Sequence, residues 1–179
     1  MDVVTIAMLT LVLGGARSGK SRYARSLLDA SDSVVFVATA TPSDSEMADR
    51  IERHRAERPP QWKTIEAPLD VPAAVAEQPE GTAVLLDCVT LWISNLFFEH
   101  RDRNRNDRER LVLEALKSLT QLARGRNLIV VSNEVGSGLV PESSVGREFR
   151  DLQGLANQFI AREADRVVLV VAGLPVEIR

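Results

Sequence analysis

The chain has 179 residues, 45% of them hydrophobic and 26% charged, with a net charge of −3. That length holds one domain with a substantial core, and with a net charge of −3 no basic face dominates, so composition gives no support for nucleic-acid binding. The single cysteine, Cys88, rules out an intrachain disulfide framework, and only two histidines accompany it, so a structural zinc site is not expected.

Met1 to Ala7 carries no Lys or Arg ahead of the first apolar run, so no signal peptide is read there. No segment reaches the length of a membrane span, and a cytoplasmic protein is expected. Met8-Leu9-Thr10-Leu11-Val12-Leu13 reads as a buried strand. It runs into Gly14-Gly15-Ala16-Arg17-Ser18-Gly19-Lys20-Ser21, which matches the phosphate-binding pattern G-x-x-x-x-G-K-[ST] without a mismatch. A helix is expected from Ser21 to Asp29, which completes the strand–loop–helix setting the motif requires. Glycines at 14 and 19 permit close backbone approach, so that N–H groups face phosphate oxygens. Lys20 supplies an ammonium for the β- and γ-phosphates, and the Ser21 hydroxyl is placed for Mg²⁺. The motif predicts binding of a nucleoside triphosphate and leaves its use open.

Val34 to Ala38 reads as a second buried strand, ending in the turn Thr39-Ala40-Thr41-Pro42. Ser43 and Glu46 form a capping-box pattern that opens a helix to about Arg58, before Pro59-Pro60. Met47 and Ile51 share one face of it, and Arg50, His54 and Arg58 share another. His54 on this arginine-flanked helix is a candidate nucleophile at phosphorus, or else part of a solvated face. Gln61 to Ala67 is expected to be extended, and Val71 to Glu77 to form a short helix. Ala83 to Asp87 reads as a third strand that ends in an acid. Asp87 is a candidate for Mg²⁺ or nucleotide contact, or else the cap of the next helix. That helix spans Thr90 to Phe98. His100 to Arg108 is expected to be a charged loop, and Glu109 to Arg124 an amphipathic helix with Leu113, Leu116 and Leu119 or Thr120 inward.

A fourth strand is predicted at Asn127 to Val131, then a glycine-containing loop from Asn133 to Pro141 and a long helix from about Ser143 to Glu163. Strands at Arg166 to Val170 and Leu174 to Ile178 close the chain. The loop lacks the Lys and Asp with which signalling GTPases read guanine, and no glycine follows Asp87 as their second switch needs. The alternation of strands and helices predicts a single α/β domain over 1–179, with a mainly parallel sheet covered on both faces. Ligands then gather at the carboxyl ends of the strands: the phosphate loop, Ala38-Thr39-Ala40, Asp87, and the loop from Asn133 to Pro141.

Several strings now line up in order. They are Gly14 to Arg22, Ala38-Thr39-Ala40, Arg50 to Pro59 with Trp62, and Leu85 to Thr90 through Asn95-Leu96. Asn133-Glu134-Val135-Gly136 through Val140-Pro141, Phe149-Arg150-Asp151 and Asn157-Gln158 complete the set. Together they resemble the bifunctional adenosylcobinamide kinase / adenosylcobinamide-phosphate guanylyltransferase family of cobalamin biosynthesis, over nearly the whole chain. The resemblance implies a three-layer P-loop NTPase (RecA-like) fold. It also implies phosphorylation of adenosylcobinamide with ATP or GTP, then transfer of GMP from GTP to adenosylcobinamide phosphate through a guanylyl-histidine. That histidine falls on His54, with Arg53 standing where some members carry a second one. The implied nucleotide contacts are Gly14, Gly15, Ala16, Arg17, Ser18, Gly19, Lys20, Ser21, Ala38, Thr39, Ala40, Arg55, Ala56, Glu57, Arg58, Glu66 and Asp87. Ser21 and Asp87 would face Mg²⁺, although some members have Glu at the latter position. Glu66 would accept from the N1 and N2 donors of guanine. Members of the family assemble as trimers, and Trp92, Phe97 and Phe98 are candidates for an interface. The alternatives are a phosphate-loop kinase of another small hydroxylated substrate, or a nucleotide-binding regulatory protein without phosphotransfer.

Overall fold

Strand β1 (Met8–Gly14) is apolar on both faces, and it lies inside the sheet between two parallel neighbours. The computed structural model describes residues 7–28, 33–42 and 44–179. Behind β1 come α1 (Lys20–Ser26), β2 (Val34–Ala38), α2 (Ser45–Ala56), β3 (Lys63–Glu66), α3 (Val71–Ala76) and β4 (Ala83–Asp87). The second half holds α4 (Val89–Glu99), α5 (Arg105–Leu122), β5 (Asn127–Asn133), α6 (Ser144–Glu163), β6 (Arg166–Val171) and β7 (Leu174–Glu177). The seven strands order as β3-β2-β4-β5-β1-β6-β7. Every pairing is parallel except the β6–β7 hairpin. This is the mainly parallel α/β sheet that the alternation predicted.

The period of two along each strand divides the core between the faces. Leu9, Leu11, Val35, Val37, Leu86 and Val130 pack under α3, α4, α5 and α6. Val12, Phe36, Leu85, Ile129, Val131 and Val168 pack on the other face, with Ala24 of α1. Three layers result.

Several boundaries differ from expectation. The expected loop from His100 to Arg108 is shorter, because α5 already begins at Arg105. The Asn104 side chain accepts from Asp107 N at 3.0 Å, so the dense charge there is helix-capping chemistry. Within α5, Val112 is buried with Leu116, Leu119 and Thr120, whereas Leu113 is only partly covered. Helix α1 ends at Ser26, short of the expected end at Asp29, which lies outside the described residues, as do Met1 to Ile6. Ser43 also lies outside them, and the cap of α2 is Asp44, which accepts from Met47 N at 2.8 Å. Strand β5 runs two residues further than expected, to Asn133. Trp92 and Phe97 are core residues of the chain itself; Phe98, 58% exposed, is the one of the three aromatics left at the surface.

The cap of α5 gives a direct test. Asn104→Ala should lower the unfolding free energy by about 0.5–2 kcal/mol in urea titration, and Asn104→Ser should retain most of it. Equal stability of Asn104→Ala and the wild type would show that the cap contributes nothing.

Candidate active site

The chain leaves β1 through a turn only glycine allows. A Cβ on Gly14 would collide with Ser18 Oγ and sit 2.8 Å from the carbonyl oxygen of Val170 on β6. Ser18 N–H donates to the Gly15 carbonyl at 3.2 Å, closing the loop on itself. Arg17 (φ 56°) and Gly19 (φ 94°) take left-handed backbone, a sequence of angles that turns successive N–H groups toward a common centre. Lys20 opens α1 and is buried, and its Nζ donates to the Gly15 carbonyl at 3.0 Å. The ammonium therefore lies within the turn of the loop. Ser18 Oγ is buried without a hydrogen-bond partner among the described residues.

The β6–β7 hairpin forms one wall of the site. Its turn residues Ala172 (φ 51°) and Gly173 (φ 83°) both have positive φ, as a two-residue hairpin matched to the strand twist requires. Gly173 N–H donates to the Ser18 carbonyl at 2.8 Å and pins the hairpin to the loop. Helix α2 forms the opposite wall. Between them lies a cleft of about 590 Å³, lined by Arg17, Ser18, Gly19, Lys20, Ser21, Arg22 and Arg25, by Glu46, Arg53, His54 and Glu57, and by Ala172 and Gly173. His54 and the phosphate loop thus face one space. Five cationic side chains against two carboxylates make it suited to a polyanion.

A second row of predicted residues lies along the carboxyl edge of the sheet. Register aligns Glu66 with Ala38, and Ala38 with Asp87. Glu66 Oε1 accepts from Arg55 Nη2 at 2.8 Å. Asp87 is half-buried, and its charge acts on Arg58 and on Cys88. Ser21 and Asp87 offer a hydroxyl and a carboxylate, hard oxygen donors that suit Mg²⁺. Among the described residues no cluster of three or more His, Cys, Asp or Glu side chains is placed to hold a metal by itself.

Two residues sit differently from the simplest expectation. Thr39 is fully buried; its hydroxyl donates to the Cys88 carbonyl at 2.7 Å and accepts from Cys88 N–H at 3.0 Å. Its side chain ties the end of β2 to that of β4. Arg58 lies beyond α2, past the C-cap Glu57, so it is not part of a helical stripe with His54. Its guanidinium stacks 3.7 Å over the Phe36 ring, and burial pulls its pKa below the usual guanidinium value. The Arg50 side chain lies outside what is described. Ala40 is half-buried, and Ala56 is exposed on α2. Sequence reasoning passed over Arg22, Arg25, Glu46, Ala172 and Gly173. The first two follow the phosphate loop on α1, and that closeness in sequence was the available signal. The contribution of the hairpin depends on pairing across 155 residues of chain, which no local pattern reveals.

The fold and the loop define a phosphate-loop nucleotide-binding protein of the α/β class. Residues 10–178 match the family described as cobinamide kinase / cobinamide phosphate guanyltransferase, and the chain belongs to that family. It is 45% identical over 174 residues to the bifunctional adenosylcobalamin biosynthesis protein CobP of Pseudomonas aeruginosa, covering 96% of this chain and 98% of that protein. It is 40% identical over 181 residues to the bifunctional adenosylcobalamin biosynthesis protein CobU of Escherichia coli K12, covering 96% of this chain and all of that protein. Among solved structures, an ATPase of the type III secretion system of pathogenic bacteria superimposes with a TM-score of 0.55 at 14% identity. That match covers 96% of this chain and 57% of the ATPase, and it shows a shared fold.

Two outcomes follow from this geometry. Gly14→Ala should abolish nucleotide binding measured by calorimetry, because the loop cannot close around the added methyl group. Burial, reinforced by the charge of Asp87, pushes the Cys88 thiol up to about 12. It therefore stays protonated at pH 8 and should resist thiol reagents in the folded protein while reacting at once in denaturant. Above about pH 8.5 the unfolded thiol ionises and the folded one does not, so this group favours unfolding as pH rises.

Proposed function

We propose that the chain carries both activities of its family. It phosphorylates the aminopropanol hydroxyl of adenosylcobinamide with ATP or GTP, then transfers GMP from GTP to the resulting phosphate. The observation that carries this reading is the shared cleft: His54 and the phosphate loop line the same space, rich in cationic side chains. A kinase of another substrate, or a regulatory nucleotide-binding protein, would not require a histidine as nucleophile there.

In the kinase step the substrate oxygen attacks the γ-phosphorus, its proton passes to solvent, and the bond to the β-phosphate oxygen breaks. Lys20 and the loop N–H groups hold the phosphates and offset the charge that develops. Residues 14–21 with Ala38, Thr39, Ala40, Arg55, Ala56, Glu57, Arg58, Glu66 and Asp87 form the nucleotide site. Within it Thr39 and Arg58 act by holding the strand ends in place. Ser21 and Asp87 would hold Mg²⁺, which when bound neutralises phosphate charge.

In the transfer step a neutral nitrogen of His54 attacks the α-phosphorus of GTP. The bond to the bridging oxygen breaks, and pyrophosphate leaves into the phosphate loop. An oxygen of adenosylcobinamide phosphate then attacks the same phosphorus, the P–N bond breaks, and the imidazole is restored. Glu66, with one oxygen on Arg55, presents its other oxygen to the N1 and N2 donors of guanine. The whole chain acts as one catalytic domain in the cytoplasm. The family resemblance supports a trimer, in which the exposed Phe98 is available to an interface. No helix among the described residues is long and apolar enough to cross a membrane.

GTP labelled at the α-phosphate should leave acid-labile, base-stable label on the wild-type protein, and none on His54→Ala. GTP labelled at the γ-phosphate should label neither protein. A labelled His54→Ala protein, or an unlabelled wild type that binds GTP, would refute the nucleophile. Glu66→Gln should narrow the preference for GTP over ATP in adduct formation about tenfold or more, and an unchanged ratio would refute the guanine contact.

A further inference from the structure

Helix α2 carries His54, yet none of its described side chains is buried and it belongs to neither hydrophobic cluster. Met47, Ala48 and Ile51 are only half-buried, so polar ties carry much of its placement against the phosphate loop. Two ion pairs join its C-terminal end to the rest of the chain. Arg55 Nη2 donates to Glu66 on β3 at 2.8 Å, and Arg25 Nη2 donates to Glu57 Oε2 at 2.7 Å. Both residues of the second pair line the cleft. Arg25 lies in the last turn of α1, the helix that Lys20 opens, and Glu57 caps α2 one turn beyond His54. The Arg25 side chain is only 15% exposed, which favours this pair over the more exposed one.

We propose that the Arg25–Glu57 pair is a positioning clasp: it holds α2 against the phosphate-loop helix so that His54 reaches the α-phosphorus of a seated nucleotide. The inference rests on the reading of His54 as the nucleophile. Arg25 also holds the Glu57 carboxyl below the usual carboxylate range, so the pair is charged at neutral pH. The clasp bears on one step more than the other. Both steps seat the nucleotide on contacts that include the end of α2, but only attack on the α-phosphorus depends on where the His54 ring itself sits.

The test compares wild type, Arg25→Glu, Glu57→Arg and the double swap, with isosteric Glu57→Gln as a check where a swapped variant does not fold. Two single-turnover rates are read for each: incorporation of α-label from GTP into protein, and transfer of γ-label to adenosylcobinamide. Each single change should slow α-label incorporation about three- to fivefold and γ-transfer by less, and the double swap should recover most of the loss. Equal losses in both steps would mean a general structural role and would overturn the clasp. Additive losses in the swap would mean that Arg25 acts on the nucleotide directly, and would overturn it too. A wild type that transfers the γ-phosphoryl but takes no α-label would overturn the nucleophile reading and the clasp with it. Normal wild-type labelling beside uncoupled variants would overturn the clasp alone.

Discussion

The seat of Gly14 is the constraint on which the rest of the site depends. Its Cα lies so close to Ser18 and to the Val170 carbonyl that no side chain fits. That closeness lets the loop fold back over the end of β1, brings the Gly15 carbonyl to Lys20, and leaves the Ser18 carbonyl facing Gly173. The hairpin wall, the buried ammonium and the curled loop share this one steric cause. A methyl group at position 14 would disturb all three together.

Around that seat the strand ends are held by side chains that complete backbone groups no ladder can reach. Thr39 pairs with both polar groups of the Cys88 backbone, and Asn95 donates to the Thr39 and Pro68 carbonyls at 2.8 and 2.9 Å. Thr90 accepts from Asn133 N–H, and Asn157 donates to the Asn133 carbonyl. Ser132 and Gln153 bond to Asn157 behind them. Each such bond is worth about 1 kcal/mol net, but a buried group left unpaired costs more than that. The network therefore discriminates among arrangements of the sheet edge more than it adds to overall stability. It holds Asp87, Cys88 and Asn133 in fixed relation at the edge where ligands bind.

Much of this was legible in the chain itself. The phosphate loop announces its own geometry, because glycines at 14 and 19 with Lys20 and Ser21 have few other uses between an apolar strand and a helix. The β-branched runs gave the strands, and their double-sided apolarity gave a covered, parallel sheet. The start of α5 was hidden because a stretch of Arg, Asn and Asp looks like a solvated loop until Asn104 is seen to cap it. The burial of Trp92 and Phe97 was hidden because an apolar helix reads alike whether it faces a core or a partner. The meeting of His54 with the hairpin turn at Ala172 and Gly173 was out of reach, since residues so distant in sequence are joined only by the sheet order.

The central claim is that His54 carries GMP on the way to product. The most direct measurement isolates protein labelled from α-labelled GTP, removes free nucleotide, and adds adenosylcobinamide phosphate in a single turnover. The account predicts that the label leaves the protein as adenosylcobinamide-GDP, at a rate no slower than overall turnover. Label that stays on the protein, or that departs as free GMP at a rate independent of the acceptor, would contradict it.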